Sequence, residues 1–381
     1  MTEFWELPGP STFLRALADD LRGGSNIAVI FPEHSPEGWL PALRVELCDS
    51  LPHLEELSLD GKPPVSAIHR HLGLEPASPR AHISDLCGNP AFRGRLLYVA
   101  TFSPEPCRAW RQFLASYEDV CRAWSLAERT LFIVGINGSL VEDMPTPANL
   151  LRVHHWNDCL DSLDIRLYAA GLLSAAGLSA WQRNLAVTLL GELALWDPQV
   201  CAAGASLSLA ELIEPSSWLA EIARSRGWSP TLDPKSSEAG RCGIRHTFEG
   251  NSRVHSAWLA AAHRVEALDY RVWNAQVTSL FPLLERHRRA LLKTYSAMNL
   301  LRVPWNTQFG RIDRIEDLEL NHIADQFSRH NSRGLRDTCD FICWLRDLRN
   351  DLAHLSPIPA ARLIHPAFLS RLSQCQSTDD I

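Results

Sequence analysis

Over residues 1–150, short apolar runs alternate with stretches of helical spacing. Asn26–Phe31, Leu96–Phe102 and Thr130–Ile136 are rich in β-branched and aliphatic residues and read as buried strands. Trp39–Leu47 and Cys107–Leu126 place their apolar residues at helical intervals, and the first is preceded by a turn-rich stretch, Pro32 to Gly38. Apolar strands separated by helices predict an α/β domain built on a parallel sheet. From 151 to 228 the pattern turns helical, over Asp161–Leu173, Ala180–Leu195 and Leu207–Ser225, with breaks at Asp197-Pro198 and Glu214-Pro215. Residues 229–250 carry Pro230, Asp233-Pro234, Ser236-Ser237 and Gly240 and read as a linker or long loop. Residues 251–370 are again helical. Arg253–Met298 fits one long helix or two, with a break near Phe281-Pro282; Ile315–Arg329 is a second element; Gly334–Leu355 is a third, stopped by Pro357 and Pro359. Such a set predicts an all-α bundle, leaving 371–381 as a tail.

Composition narrows the class. The chain has 381 residues, 46% of them hydrophobic and 21% charged, enough for more than one core and unlike a disordered tract. No apolar run is long enough to span a bilayer, and Met1–Glu6 is acidic where a secretory signal would be basic, so a cytoplasmic protein without a membrane partner is expected. The ten cysteines form no Cys-x-x-Cys pair and no zinc-like quartet with histidine. Cys339 and Cys343, four apart on an expected helix, read as part of a buried face. Charge is unevenly shared: residues 1–250 hold 20 Lys+Arg against 30 Asp+Glu, whereas 251–381 hold 17 against 14. Nearly all of the basic residues are arginines, whose planar fork suits phosphate contact.

The alternation of the first 150 residues resembles the core of a P-loop ATPase of the AAA or STAND type, with 151–228 in the place of its helical lid. The chemistry of that family is missing. A phosphate loop needs Gly-x4-Gly-Lys-[Ser/Thr] so that backbone N–H groups cradle phosphate and lysine meets its charge. The corresponding loop here, Phe31 to Trp39, has one glycine and no lysine. The second strand runs into Thr101-Phe102-Ser103 without a carboxylate for Mg²⁺, and the third ends in Gly135-Ile136-Asn137-Gly138. A degenerate P-loop-like domain that hydrolyses no ATP and carries no cofactor is the expectation, beside a doubly wound fold of other ancestry.

The third C-terminal helix ends in Arg349-Asn350-Asp351-Leu352-Ala353-His354. Arg349-x4-His354, with asparagine after the arginine and alanine before the histidine, resembles the Arg-x4–6-His signature of HEPN domains, which sits late in a helical bundle of this size. Histidine supplies an acid/base near neutral pH for attack of a ribose 2′-OH on its own phosphate, and arginine supplies directed donors to the charged phosphate oxygens. By the resemblance His354 is the acid/base, Arg349 the phosphate clamp and Asn350 an orienting group; cleavage needs no metal, and two copies meet to complete a site. Many family members have tyrosine two residues after the histidine, where this chain has Ser356, which gives no support for control by modification there.

The pattern is a short one, and Arg241 to His246 repeats it in an apparent loop. A basic residue and a histidine in a last helical turn also answer the helix dipole without any catalysis. His69-Arg70-His71 and His154-His155 lack the further ligands a metal needs. Trp258 and Trp273 are candidates to stack RNA bases, though thirteen tryptophans mostly imply core packing. The leading expectation is a metal-independent endoribonuclease, a toxin or effector in bacterial antiviral defence or toxin–antitoxin conflict. It acts on RNA as a homodimer or within a larger defence complex, with a regulatory protein partner or its own N-terminal domain as control. The alternatives are an inactive scaffold or RNA-binding subunit that uses the bundle to dimerise, and a module sensing a modified nucleotide through Asn137 and the 31–39 loop.

Overall fold

The computed structural model describes residues 4–374 apart from 35, 49, 60, 75–81, 102–103, 139–146, 309 and 330–334. In chain order α1 (Pro8–Arg22), β1 (Asn26–Phe31), α2 (Trp39–Leu47), β2 (Leu54–Glu56), α3 (Pro64–His71), α4 (Ile83–Cys87), β3 (Leu96–Thr101), α5 (Pro104–Cys121), β4 (Leu131–Asn137) and β5 (Leu151–His155) make the first part. Helices α6 (Ser162–Leu172), α7 (Ala180–Ala194), α8 (Pro198–Ala205), α9 (Leu209–Ile213) and α10 (Ser216–Ser225) follow. Next come α11 (Ser237–Arg241), the hairpin β6 (Arg245–Phe248) and β7 (Asn251–Val254), α12 (Ser256–Ala261), α13 (Val265–Ala297) and a small hairpin, β8 (Trp305–Thr307) and β9 (Gly310–Ile312). The last helices are α14 (Leu320–Ser328), α15 (Arg336–Ala353), α16 (Ala360–Leu363) and α17 (Pro366–Gln374). The chain divides into two compact units, an α/β unit of 2–164 with 226–255 and a helical unit of 165–225 with 256–381.

The α/β unit holds a parallel sheet of order β2-β3-β4-β1-β5. Its central strands are apolar on both faces because helices cover both; every residue of β1 is buried. Ala28, Ile30, Leu97, Val99, Phe132, Val134 and Ile136 share one core with Trp110, Phe113, Leu114 and Tyr117 of α5. The polar Asn26 is kept in β1 by satisfaction, its side-chain oxygen accepting the Phe132 N–H at 2.9 Å. The three apolar runs are strands, as the pattern predicts, and Trp39–Leu47 is a helix over the expected residues. Phe102 and Ser103 lie outside the described residues. The edge strands β2 and β5 are short and partly polar, which hides them from an apolar-run criterion.

The stretch read as a linker, 229–250, contains α11 and most of a hairpin. The residues that look like loop punctuation are its caps. Ser236 Oγ accepts the Ala239 N–H at 3.1 Å and Asp233 Oδ1 the Lys235 N–H at 2.9 Å. Glu249 and Gly250, with φ of 51° and 71°, make the two-residue turn that joins Phe248 to Asn251 across the hairpin.

In the helical unit α7 is buried nearly all round, through Trp181, Leu185, Leu189, Leu190 and Leu193, so it needs partners on more than one side. It lies along α13, so the helices expected to form a separate lid-like segment share a unit with the C-terminal bundle. Helix α13 buries one stripe at helical spacing, from Leu268 and Val272 to Leu291. Of the two alternatives for Arg253–Met298 the chain takes two helices, but α13 runs through Pro282 and the break lies at 262–264. Burial of Leu280, Leu283 and Leu284 around that turn outweighs the one hydrogen bond a proline removes. Among the described residues, no helix is long and apolar enough to cross a membrane.

Buried His287 of α13 packs edge-on against Phe341, with Nε2 3.3 Å from the Leu372 carbonyl. Burial, aided by the charges of Arg286 and Arg371, holds the imidazole below its ordinary pKa, while the Leu372 carbonyl opposes this. On acidification the unfolded chain therefore takes up the proton first. Stability attributable to His287 is complete above the ordinary value of about 6.5 and falls as pH drops below it, until the folded-state pKa is passed. Urea unfolding at stepped pH is expected to show a loss of up to ~1.4 kcal/mol per unit in that window that His287→Leu removes.

Candidate active site

The arginine, asparagine and histidine singled out from sequence lie at the end of α15. That helix buries Phe341, Ile342, Leu345, Leu348 and Leu352 and thereby fixes which face points outward. Asn350 and His354 are exposed and Arg349 is partly so. No packing demand accounts for the residue types at these outward positions. Arg349 Nη2 lies 3.4 Å from Glu319 Oε2, a solvent-exposed pair at the start of α14 and weak for that reason. Asp351, the neighbour of Asn350, is paired elsewhere. Its carboxylate accepts from Arg362, which also reaches Asp347 at 3.7 Å.

His354 is the residue that ends the helix, with its N–H directed at the carbonyls of Asn350 and Asp351, both at 3.1 Å. The chain then turns through Leu355, whose φ is +58°. Leu355 N–H goes to Leu352 O at 3.4 Å and Ser356 N–H to Asp351 O at 3.1 Å, the paired bonds of a Schellman ending. Glycine normally occupies that left-handed position; here a leucine does, and its side chain is 65% exposed, so little burial compensates the strain. Leu355→Gly is expected to raise unfolding free energy by about 0.5–1 kcal/mol, read from a denaturant midpoint, since strain relief exceeds the added chain entropy.

Two side chains of α13 hold this ending from below. The Trp273 indole N–H donates to Leu352 O at 2.7 Å, adding a shorter bond to the long one this carbonyl accepts from the Leu355 N–H. The buried Gln276 amide forms a two-bond clasp on Ile358, donating to its carbonyl at 2.8 Å and accepting its N–H at 2.7 Å. Residues 352–358 are therefore tied to the long helix at both ends of the turn that carries His354. Of the two tryptophans considered for base stacking, Trp258 is buried and unavailable, and Trp273 is occupied in this anchoring. Tyr270, one turn earlier and 58% exposed, lies 5.4 Å from the Trp273 ring. Tyr270, Glu319 and Gln276 belong to no motif in the sequence. Of these only Gln276 left a signal, a polar residue inside the apolar stripe of α13.

Among the described residues, no group of three His, Cys, Asp or Glu side chains could hold a metal ion. His154 is bonded to Asp20 and His71 to Glu55, each at 2.8 Å. None of the described cysteines forms a disulfide, and Cys339 and Cys343 are half-buried. Compared with protein-family models and with curated proteins, the chain matches none.

Proposed function

We propose that the helical unit is a metal-independent endoribonuclease of the HEPN kind, acting through Arg349, Asn350 and His354. The observation that carries the reading is the outward placement of these three at the end of a helix whose other face is core, on a turn anchored by Trp273 and Gln276. An anchored turn suits acid/base work, because the imidazole must meet the 2′-OH or the leaving oxygen within hydrogen-bond reach. In the reaction, His354 removes the proton of the ribose 2′-OH as that oxygen attacks the adjacent phosphorus. The bond to the 5′-oxygen breaks, and a second imidazole or water returns a proton to the leaving oxygen. Arg349 leaves Glu319 to meet the phosphate, exchanging a weak exposed pair for a two-pronged contact with a dianionic transition state. Asn350 orients the phosphate or the sugar. A second copy of the chain supplies the second histidine, and a role as a toxin or effector in bacterial conflict follows from such an activity.

The inactive-scaffold reading draws on one observation, the neutralisation of Arg349 by Glu319. Expression in bacteria separates the two. Wild type is expected to arrest growth and fragment cellular RNA when active, while Arg349→Ala and His354→Ala leave growth and RNA intact. Equal growth and RNA integrity for all three proteins, at equal levels and with growth conditions that trigger the defence response, would favour the scaffold.

A further inference from the structure

We propose that Cys339 and Cys343 form a binding site for a thiophilic monovalent metal ion of the Cu(I) class, held between their two sulfurs. The site lies within α15 and stands whether or not the helical unit cleaves RNA.

The helix brings the two thiols together. Residues four apart share a face, with Cβ atoms about 5–6 Å apart. Helix α15 cannot turn to bury them, because Phe341, Ile342, Leu345 and Leu348 hold its other side in the core. The Cys339 thiol is hydrogen-bonded to that of Cys343, so the two sulfurs are neighbours. Read from sequence as part of a buried face, both residues are half-buried, open enough to admit an ion and partly shielded from water. A second pair of neighbouring thiols, Cys87 and Cys121, is sealed in the α/β core at 4% and 1% exposure and offers no entry.

Spacing decides what can join the sulfurs. A disulfide needs Cβ atoms about 3.5–4.5 Å apart, so forming one would deform the helical turn. An ion between the sulfurs adds two metal–sulfur bonds, each about 2.3 Å if zinc–thiolate is the gauge, and spans the wider gap with the helix intact. The number of ligands then selects the ion. Structural zinc takes four, whereas two thiolates in line satisfy Cu(I), a soft cation that thiolate sulfur favours. Among the described residues, no set of three His, Cys, Asp or Glu side chains could hold a metal. On binding, each thiol releases its proton, and one monovalent ion with two thiolates carries a single net negative charge. Arg346, one turn beyond Cys343, interacts with both cysteines and answers that charge. Asp340 acts against it, and Asp347 shares the guanidinium.

The test is anaerobic titration of the reduced full-length protein with Cu(I) against a coloured Cu(I) chelator, followed by X-ray absorption at the copper edge. The tightest equivalent is expected to leave the chelator and to show two sulfur neighbours. Cys339→Ser and Cys343→Ser are each expected to weaken that equivalent at least about 100-fold, more than loss of an outer-sphere partner costs, with an unchanged urea midpoint. Cys48→Ser, which removes an exposed cysteine of the α/β unit, is expected to leave it in place. The wild-type ligand count does not depend on the variants folding. Retention of the same equivalent by both cysteine variants of α15 would overturn the proposal. So would three or more ligands at the copper edge, or Zn(II) held as tightly as Cu(I).

Discussion

Removing the His354 imidazole is expected to slow RNA cleavage by about 10²–10⁴-fold, the usual contribution of a positioned acid/base group. His354→Ala should do this without unfolding the protein. The side chain is exposed, and the bonds that end α15 are made by its backbone, so the stability change stays within about 0.5 kcal/mol. Arg349→Ala is expected to cost about 10²–10³-fold through lost stabilisation of charge on the phosphate. Arg349→Lys restores only part of this, because lysine keeps the charge and loses the fork. The two losses should not multiply in the double variant if the residues act in one step. Rates under single-turnover conditions, alongside urea midpoints, give both quantities.

Gln276→Leu carries the largest expected effect on stability. Leucine matches the volume and the apolar stripe, yet it strands the buried N–H and C=O of Ile358, each now without the partner that the glutamine amide supplied. At about 1–3 kcal/mol for each stranded group, the helical unit should lose roughly 2–5 kcal/mol. The clasp lies four residues from His354, so cleavage should also fall in the fraction that remains folded. Denaturant unfolding gives the first result, and cleavage at a temperature well below the variant's midpoint gives the second.

Much of the architecture is legible in the apolar pattern. Three central strands of the sheet and helices such as Trp39–Leu47 follow from burial on both faces or on one stripe, which leaves a mark in the sequence. The edge strands leave no such mark, since Leu54–Glu56 and Leu151–His155 face partly polar surroundings. Residues 229–250 mislead for a chemical reason: Ser, Asp and Gly cap helices and close hairpins as readily as they form loops. Pro282 leaves the choice open in the sequence because its local penalty is set against the packing of its neighbours, which decides for a continuous helix. At the candidate site the proposed side chains could be picked out one by one, on chemistry and spacing. Their support could not. The Trp273 and Gln276 anchors join positions 79 and 82 residues apart, and the Arg349–Glu319 pair depends on how α14 meets α15.

The central claim is metal-independent RNA cleavage at Arg349 and His354, and end-group analysis of the products tests it most directly. Purified full-length protein is incubated with RNA in EDTA beside Arg349→Ala and His354→Ala, and the new 3′ ends are identified. The account predicts 2′,3′-cyclic phosphate ends from the wild type and none from either variant. Cleavage that persists undiminished in both variants, or that leaves 3′-hydroxyl ends, would contradict it.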